Sequence, residues 1–515
     1  VDDPADQVVC NTENTNLVSF STDRTVGVTT YTWTNDTPGI GLAASGSGNI
    51  PSFVAVNGGL TPVVATITVT PHFTYDGLTC DGPPETFTIT VNPTAQVNDP
   101  ADQVVCNTDL TNVTFTTTTS GGTATYTWVN DTPGIGLAAS GAGDISFSAV
   151  NTGTAPVVAT ITVTPHFEFD GHICDGPTEE FTITVNPTAQ VDDPGDQVLC
   201  NTEITTDVLF TTNRTLGVTT YTWTNDEPSI GLAASGSGDI PAFAAINTGS
   251  APVIATIAVT PHFTYAGLTC DGPVQEFTIT VNPTAQVVDP ADLVVCNADN
   301  TPDIIFATSR TLGVTTYTWT NDTPAIGIPA SGTGDILSFV AVNNGIAPVV
   351  ATITVTPQFT YDGHTCDGPP ETFTITVNPT ALVFDPVDQV VCNTENTSDV
   401  VFTTDRIVGI SSYTWTNDTP SIGLASSGVG DIPAFAAINT GSEPVVATIT
   451  VTPHFDYAGL ICDGPPQTFT ITVNPTAQVD IPADLVVCNT ENTSEVIFTT
   501  DRTLGVTTYT WTNDT

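Results

Sequence analysis

Two residue types in this chain recur at spacings that could do chemistry. The first is aspartate. An Asp-Pro-x-Asp motif places carboxylates at Asp3/Asp6, Asp99/Asp102, Asp193/Asp196, Asp289/Asp292 and Asp385/Asp388. In a sixth copy Ile481 replaces the first aspartate, while Asp480 and Asp484 remain. Hard carboxylate oxygens near a seam, joined by Asp81 of a Cys-Asp-Gly loop, could hold calcium. The plainer reading is a solvated acidic turn whose aspartates accept backbone N–H groups.

The second is cysteine, whose chemistry here is the disulfide. One set falls at Cys10, Cys106, Cys200, Cys296, Cys392 and Cys488, each step 96 residues except that from Cys106 to Cys200, which is 94. The other set, Cys80, Cys174, Cys270, Cys366 and Cys462, precedes an Asp-Gly-Pro turn each time. Eleven cysteines in two phases imply disulfides and an oxidising compartment. Pairing within each repeat gives Cys10–Cys80, Cys106–Cys174, Cys200–Cys270, Cys296–Cys366 and Cys392–Cys462, with Cys488 left over, and this is the preferred expectation. Pairing across the junction, Cys80–Cys106 and its equivalents, is the other. Zinc is not expected, because there is no CxxC and the six histidines are scattered.

Nothing resembles an active site. No serine or cysteine nucleophile has a histidine and an acid at recognisable spacing. The Gly-Ser-Gly turns at Gly46 and Gly236 lack the lysine and helix of a phosphate loop. Acidic pairs for glycoside chemistry are not ruled out by sequence, but enzymes seldom array active sites in tandem. The expectation is a non-enzyme with no cofactor, calcium excepted.

What must position these residues is a repeat about one small β-domain long. Its boundaries are read as 1–93, 94–187, 188–283, 284–379 and 380–475, with a truncated sixth copy at 476–515. In the first copy Val63, Ala65, Ile67 and Val69 alternate with Val64 and three threonines, and Phe87, Ile89 and Val91 alternate with Thr86, Thr88 and Thr90. A period of two predicts half-buried strands. Gln7–Cys10, the segment of Val18 and Phe20, that of Tyr31 and Trp33, and Ile50–Val56 supply four more. Trp33, Trp128, Trp223, Trp319, Trp415 and Trp511 are read as core anchors, with a carbohydrate-stacking platform as the sharper alternative. Six or seven short strands separated by Asn, Asp, Gly and Pro turns predict an all-β immunoglobulin-like sandwich. Proline-braced junctions such as VNPTAQVNDPADQ favour a tandem array extended as a rod. Asn35-Asp36-Thr37 and its relatives match a glycosylation sequon, a pattern that arises by chance in Thr-rich chains.

Charge sets the partner class. There are 54 acidic residues against five basic ones, a net charge of −49. That excludes a phosphate-binding footprint and so nucleic acid, and it opposes docking on anionic membranes. Apolar content of 39% with clear periodicity argues against disorder. With no Met and no signal peptide or transmembrane run, the chain reads as an internal piece of a longer secreted protein.

Taken together, DQVVCN…YTWTND…IGLAASGSG…VVATITVTP…CDGPPETFTITVNPTAQV resembles the PKD-like, immunoglobulin-like repeats of very large surface proteins in Bacteroidota, gliding-motility adhesins of flavobacteria among them. The resemblance spans the whole chain. It implies export by the type IX secretion system, a stalk on the outer-membrane exterior of a Gram-negative cell, no direct membrane insertion, and contact with surface polysaccharide, substratum or other chains of a cell-surface assembly. It offers no catalytic residues.

Overall fold

The computed structural model describes residues 1–514. Two compact units are formed, one by Val1–Gln197, Ile204–Ala244 and Ile254–Thr280, the other by Val198–Glu203, Ala245–Val253 and Val281–Thr515. The chain is a tandem array of all-β repeats, and the first two illustrate the plan. Repeat 1 contains β1 (Gln7–Cys10), β2 (Val28–Asn35), β3 (Ser45–Ser47), β4 (Val63–Tyr75), β5 (Leu78–Asp81) and β6 (Glu85–Asn92). They form one sheet in the order β1-β6-β4-β2-β3, with β5 paired to β4. The first strand runs parallel to the last, Gln7 opposite Ile89 and Cys10 opposite Asn92.

β4 is longer than its alternation suggests, because it continues through Pro71 to Tyr75. β4 pairs with β6 over Val63–Val69 and with β5 over His72–Tyr75. Pro71 falls in the gap between these partners, where its carbonyl accepts from Gly82 N. No ladder bond is lost by lacking an N–H there.

The facing layer is thin. In place of the expected strands at Val18–Phe20 and Ile50–Val56 there are the isolated bridges Asn14↔Val54 and Val18↔Ile50 with a few further backbone bonds such as Thr15 N to Phe53 O, and repeats 3, 4 and 5 repeat the bridges. Each segment carries one residue too many for a continuous ladder, and a threonine fills the gap: Thr15 Oγ1 accepts from Phe53 N, as Thr205, Thr301 and Thr397 do from their phenylalanines.

Repeat 2 differs. It contains β7 (Gln103–Cys106), β8 (Leu110–Val113), β9 (Thr123–Asn130), β10 (Ser140–Ala142), β11 (Ile145–Ser148), β12 (Val157–Phe169), β13 (His172–Asp175) and β14 (Glu179–Asn186). One residue is missing from each facing segment, and the two become a regular ladder from Leu110↔Ser148 to Val113↔Ile145. These paired deletions are the origin of the 94-residue step. A single deletion would have turned one strand's apolar set to the wrong face.

The core lies between the layers. In repeat 1 it includes Phe20, Tyr31, Trp33, Ile40, Ile67 and Phe87. The five tryptophans Trp33, Trp128, Trp223, Trp319 and Trp415 are 6–7% exposed, whereas Trp511 is 72% exposed. Residues 476–514 form no strand. Gly46 explains the Ser-Gly-x-Gly motif: a Cβ there would lie 2.1 Å from the Trp33 ring, so only glycine lets β3 cross the indole.

Candidate functional site: the seam between repeats

The disulfides follow neither expected pattern. Cys10 is bonded to Cys174, Cys106 to Cys270, Cys200 to Cys366 and Cys296 to Cys462. The pairs Cys10–Cys80, Cys106–Cys174, Cys200–Cys270, Cys296–Cys366 and Cys392–Cys462 do not form. Cys80, Cys392 and Cys488 are free and exposed.

The sheet explains why. Parallel pairing carries Cys10 to the pole where β6 ends, opposite Asn92. Cys80 is opposite Phe73, near the far end of β4. The roughly ten residues of β4 between these levels span about 33 Å, against a Cα–Cα distance of 5.5 Å in the bonds that form. The hairpin β12–β13 of the next repeat, however, reaches back to that pole. The alternative Cys80–Cys106 fails more widely, since Cys106 sits at the outgoing pole of repeat 2.

An asparagine completes each seam. Asn92 Nδ2 donates to the carbonyls of Phe169 and His172 at 3.1 and 3.2 Å. Asn186 does the same to Tyr265 and Leu268, Asn282 to Tyr361 and His364, and Asn378 to Tyr457 and Leu460. All four asparagines are wholly buried. In repeat 5 the equivalent Asn474 is half-buried. The amide donors are satisfied, which offsets part of the cost of burial, while Oδ1 of Asn92, Asn186, Asn282 and Asn378 is buried without a hydrogen-bond partner.

Small residues allow the close approach. A Cβ on Gly176, of the Cys-Asp-Gly loop, would meet the Ala95 carbonyl at 1.9 Å. Phe167, Phe263, Phe359 and Phe455 are fully buried, whereas Phe73 of repeat 1 is only half-buried.

The arginines have a shared task. Arg214 Nε donates to Thr188 O at 2.7 Å and its Nη1 to Gly153 O at 3.1 Å. Arg310 and Arg406 bind Thr284/Gly249 and Thr380/Gly345, and Arg502 binds Thr476/Gly441. Each guanidinium thereby ties a linker carbonyl to a turn of the preceding repeat. Desolvation lowers the Arg214 pKa. Arg24 makes no such contact; it lies 3.7 Å from Asp23 with its side chain 69% exposed.

The aspartates of Asp-Pro-x-Asp separate by role. Asp6, Asp102, Asp196, Asp292 and Asp388 accept at 2.6 Å from Thr88, Thr182, Thr278, Thr374 and Thr470 N in the last strand of their own repeat. These backbone bonds hold the Asp102, Asp292 and Asp388 carboxyls below the usual range. The first aspartates, Asp3, Asp99, Asp193, Asp289 and Asp385, are exposed. Asp81 is engaged elsewhere, with Oδ1 2.5 Å from His72 Nδ1. Among the described residues, the groups of three potential ligands that come together are Cys10/His172/Cys174 and Cys200/His364/Cys366, whose sulfurs are already bonded to each other.

Sequence reading missed the seam asparagines, which look like linker, and His172 and His364. Those two face Glu13 and Glu203 of the preceding repeat at 3.0 and 3.2 Å. A usable signal existed in the fixed Val-Asn-Pro-Thr string. The sequon asparagines Asn35, Asn130, Asn321 and Asn417 are buried and donate to backbone, Asn35 to Leu42 O.

No helix among the described residues is long and apolar enough to cross a membrane. No family model matches the chain, and no curated protein matches it. Similar solved structures include the human desmocollin-1 ectodomain, at 11% identity and TM-score 0.22 over 92% of this chain and 98% of that one. Drosophila N-cadherin EC1-4 is similar at 13% identity and TM-score 0.24, covering 73% and 99%. Mouse cadherin-23 EC22-24 is similar at 13% identity and TM-score 0.28, covering 56% and 99%.

Proposed function

We propose that the chain is a load-bearing, non-enzymatic stalk of a secreted cell-surface adhesin or filament. The observation that carries this reading is that every disulfide joins one repeat to the next. Bonds that stabilised isolated domains would close within them. Bonds across seams reinforce the joints, which is where a tandem array under tension would part first. The buried asparagines and the arginine ties act at the same place.

The resemblance to Bacteroidota surface repeats supports the finer part of the proposal: type IX export, display outside the outer membrane and a role in gliding motility. On this reading the partners are substratum, surface polysaccharide or other chains of the assembly, engaged by parts of the protein other than these repeats. A multivalent binding array has less support, because the tryptophans that would stack on sugar are buried in five of six copies.

The test is a shear-detachment assay on cells carrying the parent protein. Antibody against these repeats should decorate the cell exterior, and Cys→Ser changes at Cys106 and Cys270 together with Cys10 and Cys174 should lower the detachment force. Repeats confined to the cytoplasm, or detachment indifferent to the changes, would overturn the reading.

A further inference from the structure

The pattern of the bonds has a consequence for how the chain transmits force. Each disulfide connects the first cysteine of one repeat to the second cysteine of the next, with sequence separations of 164 to 166. Followed along covalent bonds, they form two interleaved routes. One passes Cys10–Cys174, runs along the chain to Cys200, crosses to Cys366 and continues to Cys392. The other passes Cys106–Cys270, runs to Cys296, crosses to Cys462 and continues to Cys488. Each route advances two repeats on about 26 residues of backbone, roughly 90 Å fully extended. The chain it bypasses between Cys10 and Cys200 is about 190 residues, roughly 650 Å.

We propose that these bonds make the array an extension limiter with redundant load paths. The proposal rests on the stalk reading. The shortest covalent route switches between the two routes: it crosses Cys10–Cys174, returns along repeat 2 to Cys106, crosses to Cys270, runs to Cys296 and crosses to Cys462. Its seam segment Cys270–Cys296 contains the last strand, the proline-braced linker and the following first strand. The interior 107–173 lies on this route, whereas the interiors 201–269 and 297–365 lie off it. Trp223 and Trp319, with the cores around them, are therefore outside the line of force once the route is taut. A pulled array stops lengthening before those repeats can be drawn out.

Redundancy is the distinctive feature. Counted from end to end, each simple route leaves about 184 residues of chain, and the route that switches between them about 156, roughly 550 Å. Cutting any single bond lengthens that limit by about 28 residues at most. Cutting Cys10–Cys174 and Cys106–Cys270 together removes the limit over the first repeats.

The experiment stretches the full chain, held by thiol-free tags at its ends, until all non-covalent structure has ruptured. The final contour length then reports covalent connectivity alone, whatever a variant does to folding. A non-reducing peptide map of each variant identifies the bonds present. The oxidised chain should end near roughly 550 Å. Cys200→Ser with Cys366→Ser should leave that length unchanged, and adding Cys10→Ser with Cys174→Ser, which abolishes one whole route, should add only about 28 residues, roughly 100 Å. Cys10→Ser, Cys174→Ser, Cys106→Ser and Cys270→Ser together should lengthen it by about 166 residues, roughly 570 Å. Lengthening by about 70 residues at each single removal would mean bonds closed within repeats and would overturn the proposal. A chain that behaves as expected here but is indifferent in the shear assay keeps the limiter and loses the stalk. The reverse result keeps the stalk and loses the limiter.

Discussion

His172 Nε2 lies 3.0 Å from a carboxylate oxygen of Glu13, in the preceding repeat and beside the bond between Cys10 and Cys174. His364 meets Glu203 in the same way. At the other two seams Leu268 and Leu460 replace the histidine, and Asp109 and Asp299 replace the glutamate. The longer acid accompanies the histidine, as a contact spanning the seam requires.

The His364–Glu203 pair is partly exposed, its side chains 37% and 46% open, so its coupling should be small. A double-mutant cycle of Glu203→Ala and His364→Ala, followed by urea unfolding, is expected to give under about 1 kcal/mol. A coupling of several kcal/mol would mean that the contact is far better desolvated than the geometry indicates.

Acid should weaken the array through a different set of groups. The backbone N–H of Thr182, Thr374 and Thr470 holds the carboxyls of Asp102, Asp292 and Asp388 below their ordinary range. A depressed folded pKa gives stability that is present above the unfolded value of about 3.9 and is lost as pH falls through the folded value. Thermal midpoints should therefore drop below about pH 4. Replacing the three aspartates by asparagine should flatten that part of the profile, since an amide oxygen accepts the same bond without titrating. An unchanged acid limb in the triple variant would assign the loss to other carboxylates.

The buried asparagines should be costly to remove. Asn186→Ala withdraws two donors from the carbonyls of Tyr265 and Leu268 and leaves both in a covered seam. A loss of about 1–3 kcal/mol is expected by denaturant unfolding. Hydrogen exchange should quicken in the Tyr265–Leu268 turn before the core strands respond. Asn474→Ala, whose counterpart seam is open, should cost less.

Much of the repeat was legible. Val63–Val69 and Phe87–Val91 alternate because one face is buried, so their strands and the tryptophan core could be read directly. Local patterns end where geometry becomes non-local. Nothing around Cys10 states that β1 runs parallel to the last strand, yet that pairing decides which pole the sulfur occupies and hence its partner. Asn92 looks like a turn residue because the hairpin that buries it arrives from the following repeat. Ile50–Val56 alternates like a strand, but one surplus residue on each segment reduces the ladder to two bridges.

The arginines contain their own control. Arg310→Ala breaks ties to Thr284 O and Gly249 O, and a loss of about 1–3 kcal/mol is expected. Arg24→Ala should change stability by less than about 0.5 kcal/mol, because that side chain is exposed and spans no seam. Equal effects at the two positions would show that the arginine acts within its own repeat.

The paired deletions in repeat 2 bear on how such a chain can grow. Both lost residues lie in the thin facing layer, Leu110–Val113 and Ile145–Ser148, outside the six-stranded sheet whose strands carry the cysteines and the seam asparagine. A copy can thus drift in length inside while its couplings stay interchangeable. Unequal recombination between copies would then add or drop whole units and leave the cysteine, asparagine and arginine couplings matched, the Glu–His contact being kept as well when units move in pairs, so array length could vary between lineages without a redesign of those joints.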